Sequence, residues 1–337
     1  MSAEALAKAE GYKMSQFSLT HAPHIRAKED SARIMIYTII ALLPAAIAGI
    51  YLFGRNSIIL IVSSIVAAVL TEYLMLFMRG KKAVPADVFS AVITGMLLAM
   101  VITPATPWWM VMIGSIFAIS IVKHAFGGLG FNIFNPALAA RAFMLASWPV
   151  IMTTWPRPFD MATGATHLAL VKSKMLEMSI MNMPGHINTY WQLFIGSRGG
   201  SLGETSVIAL LAGAVFLLIK EVIDWRIPAS FILTVAVLSA LFGADPIFQV
   251  MAGGLMLGAF FMATDPVTKP MGRAGRWIFG IGCGAITVVI RLLGGYPEGV
   301  CYAILIMNGF TPLIDRYVID RVYGHGIKNR KNDKRHH

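Results

Sequence analysis

Apolar runs of 16–21 residues recur along the whole 337-residue chain. Wound as a helix, a run of that length crosses the ~30 Å hydrocarbon core of a bilayer. Inside hydrocarbon each backbone N–H and C=O must find its partner within its own segment, so runs of this kind must be helical. The chain therefore reads as an all-α polytopic membrane protein. With 57% hydrophobic and 13% charged residues and a mean hydropathy of +0.69, it lies outside the range of soluble globular domains.

Ten spans are predicted, at 34–53, 58–78, 87–103, 108–123, 133–150, 205–223, 227–242, 247–263, 276–294 and 299–314. The fifth contains Asn135-Pro136 and Arg141 and is expected to be broken. The first 30 residues are polar and hold no apolar signal-peptide core, so the first span is expected to serve as its own insertion signal. The net charge of +11 could suggest nucleic acid, but its placement points elsewhere. With the N-terminus in the cytoplasm, twenty-one of the Lys and Arg fall in inside segments and five in outside loops, the bias expected of membrane topology. This puts both termini inside and the one long loop, 151–204, outside. The Lys-rich tail from Lys328 to His337 reads as solvated and drawn to anionic lipid.

An internal repeat divides the chain. "ADVFSAVITGMLL" (Ala86 to Leu98) and "ADPIFQVMAGGLML" (Ala244 to Leu257) share Ala-Asp, a Gly eight residues after the Asp and a Leu two further on. In the predicted topology they start on opposite sides, which implies two inverted five-helix repeats, 34–150 and 205–314, between a cytoplasmic segment 1–33 and a basic tail 315–337. Asp87 and Asp245 suit helix N-caps. Gly254-x-x-x-Gly258 and Gly280-x-Gly282-x-Gly284 lie within spans and read as close helix packing.

The two cysteines, Cys283 and Cys301, sit in apolar spans and cannot hold an iron–sulfur cluster by themselves; no metal site is expected. Glu72, Arg141 and Arg291 fall in spans, where an ionisable group costs about 2.5–3.5 kcal/mol on insertion scales and needs a partner or a wet cavity. Each reads as an ion-pathway residue or as a structural ion pair. Asn135-Pro136 and Asp265-Pro266 interrupt helices near the inner face, where freed backbone groups can line an ion or cofactor site.

The outer loop carries Asp160-Met161-Ala162-Thr163-Gly164-Ala165-Thr166. From the residues alone it reads first as a small-residue turn capping a short helix. Gly164 and Ala165 also leave the Thr166 hydroxyl open to a bulky group, but that hydroxyl is a weak nucleophile and needs an external catalyst. His167 beside it is equally a phosphate contact or a bystander.

The segment resembles the flavinylation signal Asp-Gly-x-(Ser/Thr)-Gly-Ala-Thr, matching Asp160, Thr163, Gly164, Ala165 and Thr166, with Met161 in place of the usual Gly. "GFNIFNPALAARAF" (Gly130 to Phe143), "FFMATDPVTKP" (Phe260 to Pro270) and "YPEGVCYAILIMNGFTPLIDRY" (Tyr296 to Tyr317) are similar to signature blocks of the same family. That family comprises the D component of the Rnf ion-translocating ferredoxin:NAD oxidoreductase complex and the B component of the sodium-translocating NADH:quinone oxidoreductase. The short N-terminus favours the Rnf member. The resemblance implies a urea-channel-like fold in a bacterial or archaeal cytoplasmic membrane. It also implies FMN esterified through its phosphate to Thr166 by an extracytoplasmic flavin transferase, and a second, non-covalent flavin, riboflavin, near Asn135 and Asp265. The implied partners are the other membrane subunits, the flavin-bearing G component and the iron–sulfur subunits. Such a chain carries electrons but does not complete the reaction alone. A small-solute channel of the same fold is the competing class, and the Asp160–Thr166 loop is what separates the two.

Overall fold

The computed structural model describes residues 31–156, 158, 163, 164, 168, 186–196, 199–294 and 298–318. The first half holds α1 (Ser31–Phe53), α2 (Arg55–Met78), α3 (Pro85–Val101) and α4 (Trp108–Phe117), which continues into a π-helical segment, π1 (Ala118–His124). Then come α5 (Pro136–Ser147) and the short α6 (Pro149–Met152). Two-residue strands β1 (Trp155–Pro156) and β2 (Thr163–Gly164) pair antiparallel, Trp155 opposite Gly164. This ladder is the one departure from an all-α fold among the described residues. After α7 (His186–Ile195), the second half holds α8 (Val207–Ile219), α9 (Arg226–Leu241), α10 (Pro246–Met251), α11 (Leu255–Leu257), a second π-helical segment π2 (Gly258–Met262), α12 (Arg273–Leu293) and α13 (Val300–Tyr317).

Three of these helices, Ser31–Phe53, Arg55–Met78 and Arg273–Leu293, are long and apolar enough to cross a membrane, and shorter apolar helices accompany them. Their outward faces expose Ile47, Leu70, Phe77, Leu233 and Ile281. A soluble protein would not present so many large apolar side chains to water. The protein is a multi-pass membrane protein.

With lipid as apolar as any leucine, helices associate by close packing of small residues. On α12, a Cβ at Gly280 would strike Ser230 and the Ile227 carbonyl of α9, and one at Gly284 would strike Thr234. Gly282, on another face, lies against Met307 of α13. In the first half, Ser64 of α2 donates to the Gly95 carbonyl of α3 at 2.7 Å and bonds the Ser115 hydroxyl of α4 at 2.9 Å. Gly213 of α8 sits on the Ala41 carbonyl of α1, joining the halves.

Two expectations change. The fifth apolar run is not broken at Asn135-Pro136; its helix begins there, with Asn135 as N-cap accepting from Ala137 N at 3.1 Å and Leu138 N at 3.3 Å. The eighth run, expected to be one helix, is interrupted at Gly253 and Gly254, whose φ values are 66° and 69°. Gly254 is therefore not a helix-packing glycine. It takes a left-handed conformation that only glycine adopts at low cost, and the Glu204 carboxylate fills the space its side chain would need. Gly258, against Val300, does pack as expected. The two segments that the sequence pairs as a repeat thus differ: α3 is continuous, whereas the other is split into α10, α11 and π2. Their acidic starts differ too: Asp245 is the N-cap of α10 and accepts from Ile247 N at 2.9 Å, whereas Asp87, expected as an N-cap, is the third residue of α3 and reaches back to the N–H of the N-cap Val84 at 3.2 Å.

The described chain starts and finishes at one end of the bundle, here the terminal end. There Asp224, in the α8–α9 turn, accepts from Arg226 N at 3.0 Å, Arg226 Nη1 at 2.8 Å and Arg276 Nη1 of α12 at 2.5 Å. Burial by itself would raise this carboxyl; the bonds from Arg226 and Arg276 override it and hold it below the usual carboxylate range. A depressed folded-state pKa contributes stability above the unfolded value of about 3.9 that is lost as pH falls through the folded value. The thermal midpoint of the wild type should accordingly fall more steeply than that of Asp224→Asn on acidification from pH 5 to pH 3, and parallel pH curves would refute the assignment.

Candidate functional site

A cavity of about 440 Å³ opens at the terminal end and reaches Leu97, three turns into α3. That is within the usual range of small-ligand sites, about 300–1,000 Å³. Its wall mixes apolar side chains (Ile34, Ile93, Phe260, Phe261) with Thr38, Thr94, Asn132, Asn135, Thr264 and Asp265. Non-helical backbone supplies part of it, because π1 ends at His124 and α5 starts only at Pro136. Asn135 ties three elements together: besides capping α5 it donates to the Met262 carbonyl of π2 at 3.4 Å, and its backbone N–H reaches the amide oxygen of Asn308 in α13 at 3.1 Å. Asp265 accepts from Thr268 Oγ1 at 3.1 Å and Val267 N at 3.4 Å; burial raises its carboxyl above the ordinary range, with these bonds opposing. The structure thus brings Asn135 and Asp265, far apart in sequence, to one cavity.

Glu72 lies behind the same wall. It is fully buried, and its Oε2 accepts from Lys123 Nζ at 2.8 Å. Its Oε1 lies 3.1 Å from His124 Nε2, without hydrogen-bond geometry. Arg79 Nη1 approaches His124 Nδ1 at 3.4 Å and donates to the Gly127 carbonyl at 2.9 Å. The wider π1 turn brings two consecutive residues, Lys123 and His124, against one carboxylate. Charge counting along the sequence puts Lys123 among the inner surface charges; it is instead 1% exposed, and it lines the cavity.

At the opposite, loop end, Arg141 of α5 bridges two acids: Nη1 donates to Glu204 at 3.3 Å and Nη2 to Glu298. Arg291 of α12 binds the break in the eighth run, donating to the carbonyls of Gln249 at 2.5 Å, Ala252 at 2.9 Å and Gly253 at 3.1 Å and to Gln249 Oε1 at 3.1 Å. The second half therefore closes its interrupted helix with a guanidinium.

Of the loop residues singled out by sequence, Asp160, Ala165, Thr166 and His167 lie outside the described residues; Thr163 and Gly164 form β2. The residues flanking Thr166 two positions away are both seated at the loop end. Gly164 pairs with buried Trp155, close to where Thr103, beyond the C-terminus of α3, donates to Thr154 O at 2.6 Å. Leu168 packs with Leu193 of α7 and with Phe248 and Ala252. The Tyr190 hydroxyl of α7 donates to Asp245, which pushes its own pKa up to about 12.

The model for the family "NQR2, RnfD, RnfE" matches residues 18–324. The chain belongs to that family. Among its relatives in the family, the D component of the "Na(+)-translocating ferredoxin:NAD(+) oxidoreductase complex" of Acetobacterium woodii is 48% identical, over 92% of this chain and 97% of the relative. The D component of the "Proton-translocating ferredoxin:NAD(+) oxidoreductase complex" of Clostridium ljungdahlii is 46% identical, over 90% and 95%. The D component of the "Ion-translocating oxidoreductase complex" of Stutzerimonas stutzeri is 39% identical, over 91% and 95%.

Within this NQR2, RnfD, RnfE family member, sequence reasoning missed the carboxylates that face Arg141, and the lysine that faces Glu72. Burial in a span says that Arg141 needs a partner but not which one, and Glu204 and Glu298 lie 63 and 157 residues away. Lys123 carried a usable signal: a buried acid within α2 requires a cation at the same depth. Cys283 and Cys301 are both buried and free, and Cys301 Sγ donates to Leu138 O at 3.4 Å.

Proposed function

We propose that this chain is the D component of an ion-translocating ferredoxin:NAD⁺ oxidoreductase complex: a membrane-embedded electron-transfer subunit with FMN esterified to Thr166. The observation that carries the flavin is the Asp160–Thr166 segment. A pore has no use for it, and here the described residues on both sides of Thr166 are held against the bundle. The chain crosses the cytoplasmic membrane ten times as two inverted repeats, with both termini inside and the Thr166 loop outside, within reach of an extracytoplasmic flavin transferase. The flavin-bearing G component, the other membrane subunits and the iron–sulfur subunits are its electron-carrying neighbours.

The cavity at the terminal end suits a second flavin, riboflavin. Thr94, Asn132 and Asp265 offer hydrogen bonds to its polar edge, and Ile93, Phe260 and Phe261 an apolar wall for its ring. A flavin bound at either place supplies one- and two-electron chemistry. The protein's own part is to fix position and charge: Glu72 and Lys123 keep a neutral pair at the cavity wall, and Arg141 with its two acids sets the field at the loop end. Coupling follows if electron passage between the two ends is tied to ion passage through the same bundle.

Protein made together with a flavin transferase should fluoresce under ultraviolet light on a denaturing gel, and Thr166→Val should be dark. Its mass should exceed that of Thr166→Val, after allowing for the substitution, by one FMN less one water, the increment of a phosphoester condensation. A dark, unmodified wild type would refute the flavin and leave the channel reading standing.

A further inference from the structure

Four buried charges meet at the loop end. Arg141 of α5 and Arg291 of α12 face two acids, Glu204 ahead of α8 and Glu298 ahead of α13. Two guanidiniums against two carboxylates cancel, so the cluster is neutral with every member ionised. The two acids are held differently. Glu298 is bonded to Arg141 Nη2 and its side chain is 16% exposed. Glu204 meets Arg141 Nη1 only at 3.3 Å and is 6% exposed. Among the described residues, the hydrogen bonds of Arg291 go to Gln249 and to backbone carbonyls of the helix break, so it acts on Glu204 through its field rather than by a bond. The Ser201 hydroxyl and the Cys301 thiol of α13 complete the groups that face this carboxyl. Of the two acids, Glu204 is thus the deeper and the more loosely held.

Glu204 also has a polar route to it. With Glu298, Leu168, Gly199, Gly200 and Thr205 it lines a cavity of about 50 Å³. Thr205 is 8% exposed, and its buried hydroxyl has no hydrogen-bond partner among the described residues. Buried hydroxyls are nearly always bonded, so this one calls for a polar partner inside the cavity. A water needs only about 10–15 Å³ of such space, and a few therefore fit beside the carboxyl. The wall reaches Leu168, two residues from Thr166, so the cavity joins Glu204 to the loop side.

We propose that Glu204 is a proton-binding station: it takes up one proton through this cavity, and the four-charge cluster passes from neutral to net positive beside the segment that carries Thr166. A solvent proton joins a carboxylate oxygen and leaves by the same route; no other bond changes. Burial raises the Glu204 carboxyl above the ordinary carboxylate range; Arg141 opposes this, Glu298 adds to it, and Ser201 and Arg291 oppose it further. The inference deepens the electron-transfer reading and rests on it, since a proton bound here offsets the charge of an electron arriving at the loop end.

The test is infrared difference spectroscopy of the detergent-purified full chain, titrated between about pH 5 and pH 9, following the carbonyl stretch of a protonated carboxylic acid. It is run on the wild type and on Thr166→Val. A band worth one carboxyl per chain should titrate near neutral pH in both, and Glu204→Gln should remove it. A dark gel with the band intact sinks the flavin alone; a fluorescent chain without the band sinks the proton station alone. Glu298→Gln should keep the band and lower its midpoint, because a neighbouring negative charge is gone. Thr205→Val should raise the midpoint by about one pH unit, a tenfold gain in proton affinity, as the polar support of the ionised form is lost. Thr205→Ser should restore it. The Thr205 pair leaves the ion pairs intact, so it decides the question even if Glu204→Gln misfolds. Folded wild type without the band, or a midpoint indifferent to Thr205→Val, overturns the proposal.

Discussion

Glu72→Gln should lower the stability of the purified protein by about 3–5 kcal/mol, among the largest single losses available in this fold. That is the usual penalty for removing one partner of a buried ion pair, because the other charge stays behind. Among the described residues Lys123 has no other carboxylate in ion-pair contact: it is 1% exposed, and its ammonium lies 2.8 Å from the carboxylate it would lose. The decisive comparison is the double variant Glu72→Gln/Lys123→Met. Removing both charges should recover most of the loss, since replacing a buried pair by apolar groups is often neutral. Unfolding monitored by thermal or denaturant titration in detergent gives the cycle. A coupling energy below about 0.5 kcal/mol, the level of independent sites, would mean that the two residues do not depend on each other.

Arg291→Met is the second large effect. It removes the donor from three carbonyls at the helix break, and each buried polar group left unsatisfied costs about 1–3 kcal/mol. The expected result is local as well as global. Amide hydrogen exchange across residues 249–258 should accelerate before the remainder of the bundle opens, while α3, which is uninterrupted, keeps its protection. Arg291→Lys should recover only part, because one ammonium cannot span the fan of acceptors that the planar guanidinium covers. Unchanged exchange over the break would show that the turn is held by something else.

These two sites mark where sequence reasoning reached its limit. The apolar runs, their boundaries to within a few residues and the acidic N-cap at Asp245 were legible, because hydropathy and capping are local properties; Asp87 marks the start of its helix from the third position rather than the cap. The glycines of α12 were legible for the same reason. Gly253-Gly254 was not: two glycines in an apolar run suit close packing or a break equally, and only the distant Arg291 and Glu204 decide between them. The partners of Arg141 were invisible because pairing across 63 and 157 residues is a tertiary fact. Lys123 escaped notice because counting charges by side of the membrane treats every lysine at the edge of a run as solvated. The Thr166 motif spoke only through resemblance; its composition by itself favoured an ordinary turn.

The π-helical turn at Ala118–His124 carries a last implication, for chain length. Such a turn holds one residue more than the regular spiral requires. Excising a single residue from this stretch would let the spiral close as a regular helix, with the segment beyond it near its present orientation and successive side chains again about 100° apart around the axis. Lys123 and His124 would then no longer share one widened turn against Glu72, with every side chain of the trio still present in the sequence. Relatives that differ by one residue here would keep the charges and lose their meeting point. At this position a deletion is thus a sharper probe than any substitution.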